Sequence, residues 1–114
     1  GTMYVLEDGG VRAECVVTDE GDSVLELKNI AVAPAFQGRG YGKAMVDFLV
    51  RTYKTQYAVL QVGTGESPST IPFYESCGFR RHHLVKNFFI DHYDHPICEG
   101  GVQLVDMVYL QREL

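Results

Sequence analysis

The first third of the chain alternates apolar and polar residues in short runs, and segments rich in Gly and Asp separate these runs. This period of two predicts strands over residues 3–7, 11–18 and 23–32, joined by tight turns at residues 8–10 and 19–22. Strands joined by turns this short pair with each other in antiparallel order.

The third run changes phase in its middle. Leu25 and Leu27 are apolar at odd positions, whereas Ile30 and Val32 are apolar at even positions. One extra residue near residues 28–29, a β-bulge, explains the change of phase. The sequence therefore predicts a bent strand with a local gap in its hydrogen-bond ladder.

A helical period follows from residue 41 onward. The predicted apolar face holds positions 41, 44, 45, 48, 49 and 52, and the charged face holds positions 43, 47, 51 and 54. A fourth strand is predicted over residues 57–62. Because a strand–helix–strand order is a crossover connection, the third and fourth strands are predicted to be parallel.

The remaining residues predict one short helix and two more strands. Ser67-Pro68 is typical of an N-cap followed by proline at the first helical position, and Gly78 is typical of a helix end. Strands are predicted over residues 79–90 and 102–110, with a polar loop over residues 91–101 between them. The predicted fold is α/β (α+β), with a mixed, mostly antiparallel sheet around one parallel βαβ crossover.

Length, charge and cysteine content limit the possible functions. The 114 residues are interpreted as a single domain, residues 1–114, and Gly1-Thr2 before the first methionine as a cloning remnant. A net charge of −5 disfavours general binding to nucleic acid. An odd number of cysteines and no apolar run of membrane-spanning length indicate a soluble cytoplasmic protein with no membrane partner.

A glycine-rich turn between the third strand and the helix reads Gln-Gly-Arg-Gly-Tyr-Gly over residues 37–42. A turn in this place gathers unpaired backbone amides and the positive end of the helix dipole, and this combination binds phosphate. A Walker loop is excluded because Ala44 follows Gly42-Lys43, where that motif needs Ser or Thr. A Rossmann turn is excluded because the three glycines are evenly spaced.

The same turn matches Q/R-x-x-G-x-G/A and resembles the acyl-CoA pyrophosphate turn of the GNAT N-acetyltransferase family. Residues 29–32 resemble the bulged strand of this family, and residues 73–79, Phe-Tyr-Glu-Ser-Cys-Gly-Phe, resemble its second signature. The resemblance covers about residues 4–112. It implies the acyl-CoA N-acyltransferase fold, in which the two crossover strands splay apart at the bulge.

The resemblance implies acetyl-CoA as cosubstrate and no metal. Alternate glycines let the main chain approach the diphosphate, Arg39 and Lys43 add positive charge, and the bulged strand pairs with pantetheine as an added strand would. Ser67 stands where many members carry an asparagine that touches the cofactor, although an N-cap role explains it equally. The implied cofactor-binding residues are Ile30, Ala31, Val32, Gln37, Gly38, Arg39, Gly40, Tyr41, Gly42, Lys43 and Ser67.

The resemblance also implies direct transfer of the acetyl group to a primary amine. Tyr74 matches the tyrosine that protonates the departing sulfur, and a core aromatic is the alternative interpretation. Glu26, on the bulged strand, matches the base of the histone-type members; an ion-pair role for Glu26 and an ordered water as base are the alternatives. A backbone amide at the bulge is the implied oxyanion donor.

Two features leave alternatives open. His92, His95 and Cys98 do not have the spacing of a structural zinc site, so a surface loop between the last two strands is the preferred interpretation, and a loop that lines the acceptor site or a dimer interface is the alternative. Family members begin with a strand and a helix pair that wall the acceptor site, and this N-terminal segment is expected to be missing here. A non-catalytic acyl-CoA-binding or assembly module is therefore the alternative to an enzyme. A small-molecule or peptide amine and a second copy of the chain are the candidate partners.

Overall fold

The computed structural model describes residues 1–114, and the chain forms two compact units. The first unit contains residues 1–60 and 113–114, and the second contains residues 61–112. The strands are β1 Thr2–Glu7, β2 Val11–Asp19, β3 Val24–Val32, β4 Val59–Gly65, β5 Arg80–Val85, β6 Cys98–Glu99, β7 Val102–Gln103 and β8 Met107–Glu113. The helices are α1 Tyr41–Tyr53, α2 Thr70–Ser76 and α3 Phe88–Asp91, with a 3-10 turn at Pro34–Phe36. The prediction of a single domain over residues 1–114 stays a prediction.

The first unit begins with the three predicted antiparallel strands. β1 pairs with β2, and β2 pairs with β3, so these predictions are confirmed. Alternate residues of β2, namely Ala13, Cys15 and Val17, are buried, as the period of two requires. Thr2 pairs with Val17, so β1 begins one residue earlier than predicted, and the interpretation of residues 1–2 as a cloning remnant stays a prediction.

The predicted β-bulge is present in β3. Val16 of β2 pairs with Asn29, and the next residue, Val17, pairs with Leu27. Lys28 is therefore the extra residue that shifts the register. The phase change in the hydrophobic pattern identified both the existence and the place of this irregularity.

The crossover from β3 through α1 to β4 is parallel, as predicted. The backbone N–H groups of Ala58 and Val59 donate to the carbonyl of Ser23 at 2.9 and 3.2 Å, so the two strands start side by side. The N–H of Leu114 donates to the carbonyl of Ala58 at 3.0 Å, which places the end of β8 beside the start of β4 in antiparallel order. β4 itself starts and ends later than the predicted 57–62, because the chain stays extended through Gly65.

The buried face of α1 differs from the predicted one. Its buried residues are Gly42, Met45, Val46 and Leu49. Ala44 is exposed, although the predicted face included it and omitted Val46. Apolar residues run from position 44 to 50 with only one interruption, so two adjacent faces of the helix are apolar and the pattern alone does not choose between them.

In the second unit the strands lie in the order β4, β8, β5, and β5 pairs with β8 in antiparallel order, as predicted. β4 meets β8 closely, because a Cβ added to Gly63 would lie 2.9 Å from the ring of Tyr109 in β8. A Cβ added to Gly65 would lie 2.6 Å from the methyl carbons of Leu104, in the segment before β8. Leu104 is buried, so a side chain at position 65 would have to displace core packing.

The predicted strand over residues 79–90 is wrong in its second half. β5 ends at Val85, and Phe88–Asp91 forms a helical turn. Asn87 takes a left-handed conformation with φ of 57°, and its N–H donates to Oδ1 of Asp106 at 2.9 Å. This side-chain bond to a residue 19 positions away stabilises the end of the strand. The apolar triplet at residues 88–90 is too short to indicate helix or strand by its period.

The predicted loop over 91–101 and the strand over 102–110 also need correction. β6 and β7 form a small hairpin, in which Cys98 pairs with Gln103 and Glu99 pairs with Val102. Gly100 and Gly101 make its turn, with φ of 58° and 76°. Two adjacent glycines are typical of a hairpin turn, and the prediction of a loop up to residue 101 did not take this into account.

Candidate active site

The phosphate turn starts where β3 ends. Pro34–Phe36 makes a single 3-10 turn, and Gly38 and Gly40 then take left-handed conformations with φ of 76° and 87°. A residue with a Cβ is strained in that region, which explains the alternate glycines. Gly40 is the N-cap of α1, and no side chain caps the helix.

The start of α1 leaves backbone donors available. The first intrahelical bond runs from the N–H of Ala44 to the carbonyl of Gly40 at 2.9 Å. The amides of Tyr41, Gly42 and Lys43 therefore have no intrahelical acceptor, and they carry the positive end of the helix dipole. A Cβ added to Gly38 or Gly40 would meet nothing within 4 Å, so the turn is open to a ligand. This geometry suits an anion such as a diphosphate.

Side chains around the turn mostly hold it in place. The amide nitrogen of Gln37 donates to the carbonyl of Val32 at 3.2 Å, which ties the turn to the end of β3. The guanidinium carbon of Arg39 lies 5.2 Å from the centre of the Phe36 ring, and that of Arg12 lies 3.9 Å from the same ring. Arg12 therefore adds positive charge beside the turn, and it is not among the residues predicted from the sequence.

Ile30, Ala31 and Val32 form the last part of β3, directly before the turn. They pair with Cys15, Glu14 and Ala13 of β2 in that order. Ala31 is exposed, whereas Ile30 and Val32 are half-buried. The predicted cofactor residues of the first unit, 30–32 and 37–43, are therefore one continuous stretch of chain through the bulged strand, the turn and the first residues of α1.

Glu26 is a buried carboxylate on β3, and only 5% of its surface is exposed. Its Oε2 lies 2.6 Å from Nζ of Lys28, the bulge residue. The Lys28 ammonium also lies 3.9 Å from a carboxylate oxygen of Glu20. The bulge therefore places the Lys28 ammonium beside the predicted base. This contact supports the interpretation of Glu26 as an ion-pair partner. The predicted role of Glu26 as a base stays a prediction.

Tyr74 is a buried tyrosine on α2, in the second unit, with 7% of its surface exposed. Its ring meets Phe73 and Phe79 edge-to-face, with centroids 5.2 and 5.6 Å apart. Burial, and to a lesser extent the charges of Cys77 and Glu99, raises the pKa of Tyr74 to about 12. The Tyr74 hydroxyl is therefore protonated at neutral pH.

The raised pKa of Tyr74 predicts a pH dependence of stability. Because the folded state holds the phenol proton more tightly than the unfolded chain, this contribution is present in full below the unperturbed value of about 10 and is lost as pH rises toward about 12. Wild type is therefore expected to lose more stability over this window than Tyr74→Phe does. Denaturant unfolding of both proteins across this pH range measures the free energy of unfolding. An equal loss of stability in the two proteins would contradict the raised pKa of Tyr74.

Ser67 is buried in the loop before α2 and does not cap this helix as predicted. The helix starts at Thr70, with Ser69 at the N-cap position. The Ser67 hydroxyl lies 3.1 Å from that of Ser69 and accepts from the Ser69 N–H at 3.3 Å. The Ser67-Pro68 signal predicted the start of the helix too early, because Ser67 bonds locally and stabilises a turn instead.

The histidine-rich loop does not assemble a metal centre. No group of three or more His, Cys, Asp or Glu residues in the chain is arranged to hold a metal ion. His92 stacks on Phe88 at 4.4 Å, and His95 contacts Asp94 at 2.7 Å. None of the helices is both long and apolar enough to cross a membrane.

Comparison with known proteins identifies the family. Residues 1–81 match the model of the Acetyltransferase (GNAT) domain. The chain belongs to the GNAT acetyltransferase family. It is 34% identical to the Uncharacterized N-acetyltransferase YvbK of Bacillus subtilis (strain 168), over 90% of this chain and 76% of that protein.

Two solved GNAT structures are similar to this chain over 98% of its length. The acetyltransferase of Bacillus subtilis in complex with CoA is 33% identical, with a TM-score of 0.90 and 76% of that protein covered. A GNAT family acetyltransferase from Elizabethkingia anophelis with acetyl-CoA bound is 34% identical, with a TM-score of 0.91 and 75% covered. These matches confirm the predicted fold, the acetyltransferase activity and acetyl-CoA as the acyl donor of this GNAT enzyme. The alternative of a non-catalytic module is not supported.

Proposed function

We propose that the turn over residues 37–43 holds the diphosphate of acetyl-CoA, and that the enzyme transfers the acetyl group directly to a primary amine. The open helix start of α1 carries this proposal. Its first three amides have no intrahelical acceptor, Gly38 and Gly40 leave open space beside the turn, and Arg39 and Lys43 add positive charge. The backbone of Ile30, Ala31 and Val32 is proposed to bind the pantetheine arm, and Ser67, whose hydroxyl lies 3.1 Å from that of Ser69, is proposed to contact the cofactor.

Tyr74 is proposed to serve the leaving group. The amine nitrogen attacks the thioester carbonyl, the C–S bond breaks, and one proton must leave nitrogen while one reaches sulfur. A thiolate with a pKa of about 8.5 is a weaker base than a phenolate with a pKa of about 12, so full transfer from Tyr74 alone is uphill. Tyr74 therefore protonates the sulfur in step with proton loss from the attacking nitrogen. The proton released by that nitrogen restores the phenol, so no phenolate accumulates.

Glu26, or a water that it orders, is proposed to take the proton of the acceptor ammonium. The buried carboxylate is a proton acceptor, and its contact with Lys28 fixes the position of one oxygen. A backbone amide at the bulge is proposed to stabilise the oxyanion of the tetrahedral intermediate, since the bulge bends β3 directly beside Glu26 and Lys28.

Substitution of Glu26 by glutamine is expected to lower kcat/KM by about tenfold or more, because the amide cannot accept the proton. The loss is expected to shrink at alkaline pH, where the free amine no longer needs a base. Glu20→Gln is the matched control, since Glu20 shares Lys28 but is partly exposed, and it is expected to leave turnover unchanged. Thiol release across pH measures both; equal profiles for wild type and Glu26→Gln would assign the proton to water alone.

The overall reaction is tested by thiol release from acetyl-CoA in the presence of a panel of primary amines that includes peptide N-termini, lysine peptides, polyamines and aminoglycosides. The net charge of −5 favours cationic acceptors through electrostatic steering. Release that depends on one class of amine is expected. Binding of CoA without amine-dependent release in the whole panel would contradict the proposed acceptor class.

A homodimer and a cytoplasmic location complete the proposal. β5 is the last strand of the order in the second unit, all six of its residues are exposed, and Leu84 is 51% exposed. An edge of this kind pairs readily with another strand. By light scattering, wild type is therefore expected to be a dimer and Leu84→Lys a monomer.

All three cysteines are free thiols, which fits the reducing cytoplasm.

A further inference from the structure

The hairpin between β1 and β2 contacts the phosphate turn through an acidic residue. The hydroxyl of Tyr41, the first residue of α1, donates to Oδ2 of Asp8 at 2.8 Å. Tyr41 contributes one of the free amides, so this bond joins the anion-binding end of the helix to a separate part of the sheet. The bond also raises the pKa of Tyr41, and Asp8 is the main cause.

Arg12 makes a second contact between the same hairpin and the turn. Its guanidinium lies over the Phe36 ring, and its carbonyl accepts from the N–H of Ala33 at 2.8 Å. A Cβ added to Gly10 would lie 3.0 Å from Nη1 of Arg12, so the glycine of the hairpin makes room for the guanidinium. Nε of Arg12 is buried without a partner, which shows that the side chain is enclosed by this packing.

The charge of Asp8 is the wrong sign for an anion site. A carboxylate this close to the proposed diphosphate repels it, and by Coulomb's law alone its removal would strengthen cofactor binding. A hydrogen bond that fixes the first turn of α1 has the opposite effect, because it keeps the free amides in the orientation that the ligand needs. The change in Kd for CoA on removal of the Asp8 side chain therefore distinguishes the two effects. Kd falls if repulsion dominates, and it rises if the positioning hydrogen bond dominates.

We propose that Asp8 and Tyr41 are positioning residues for acetyl-CoA, in which the hairpin holds the start of α1 so that its amides face the diphosphate. This inference rests on the proposed location of the diphosphate at the turn. It assigns to the β1–β2 hairpin, far from the signature motifs in sequence, a direct part in cofactor affinity.

The test is calorimetric titration of CoA into the full chain at fixed ionic strength, with folding of each variant checked by circular dichroism. Asp8→Ala is expected to raise Kd by about threefold to tenfold, the range for one net hydrogen bond. Asp8→Asn keeps an oxygen that accepts from Tyr41 and removes the charge, so it is expected to bind CoA at least as tightly as wild type. Tighter binding by Asp8→Ala would overturn the proposal.

Tyr41→Phe gives the same test from the other side of the bond, with no change in charge. It is expected to weaken CoA binding at least as much as Asp8→Ala does, because the repelling carboxylate is kept, and the double variant is expected to be no weaker than either single variant. Tyr57→Phe is the matched control, because Tyr57 donates to Asp19 at 3.1 Å in the same unit, away from the turn. Additive losses, or an equal loss in the control, would overturn the proposal.

Arg39→Ala, which touches the turn itself, separates this inference from the proposal on which it rests. If Arg39→Ala weakens CoA binding while Asp8→Ala and Tyr41→Phe do not, the positioning role is wrong and the turn is still the phosphate site. If none of the three variants changes Kd, the location of the diphosphate is wrong and the positioning role is wrong with it.

Discussion

Replacement of Tyr74 by phenylalanine is expected to lower kcat by about a hundredfold or more, the usual range for loss of a positioned proton donor. Only the hydroxyl is removed, and the ring contacts with Phe73 and Phe79 stay, so folding and the affinity for CoA are expected to be kept. Steady-state thiol release gives kcat, and titration of CoA gives the affinity. A fall in kcat with an unchanged Kd is the signature of a group that acts in the transition state.

Tyr93→Phe is the control for the loss of a phenol from the second unit, because Tyr93 is 45% exposed and stacks on Phe89. It is expected to leave kcat within about twofold of wild type, since a surface substitution of this kind changes little. Full turnover of Tyr74→Phe at all pH values would show that Tyr74 is a core aromatic and that another group protonates the sulfur.

The double substitution Arg39→Ala and Lys43→Ala is expected to weaken CoA binding by about a hundredfold or more, because each charge-assisted hydrogen bond to phosphate contributes about 1.5–3 kcal/mol. Both side chains are exposed in the absence of ligand, so little loss of folding stability is expected. Calorimetry at low and moderate salt measures the effect, and the difference between wild type and variant is expected to shrink as salt rises.

Arg51→Ala with Lys54→Ala is the matched control for charge. It removes the same number of positive charges from the other end of α1, where Arg51 lies in the last turn and Lys54 is the C-cap. Affinity for CoA is expected to change by less than about twofold, since exposed charges at that distance are largely screened. Equal losses in the two double variants would mean that net charge, and not the turn, controls affinity.

The sequence predicted those parts of the fold that local patterns encode. The β-bulge at Lys28 followed from a phase change that only one extra residue explains, and the parallel crossover followed from the order of elements. The phosphate turn followed from glycines placed before an amphipathic helix, a pattern with a direct backbone cause.

Other parts depended on contacts that no local pattern encodes. The helical turn after Asn87 interrupts a run that looks like a strand, and the side chain that bonds to the Asn87 N–H comes from Asp106. The bond between Asp8 and Tyr41 joins residues 33 positions apart, and the cation beside Glu26 comes from the bulge residue itself. Tertiary pairing of this kind is visible only once the chain is folded.

The central claim is that the amides of Tyr41, Gly42 and Lys43 bind the diphosphate of acetyl-CoA. Backbone-amide NMR of the isotopically labelled protein, titrated with CoA, tests it most directly. We expect the largest chemical-shift changes of the titration at these three amides and at Gly38 and Gly40, with saturation at the calorimetric Kd. Saturable CoA binding that leaves these amides unshifted, with the main changes elsewhere, would contradict the account.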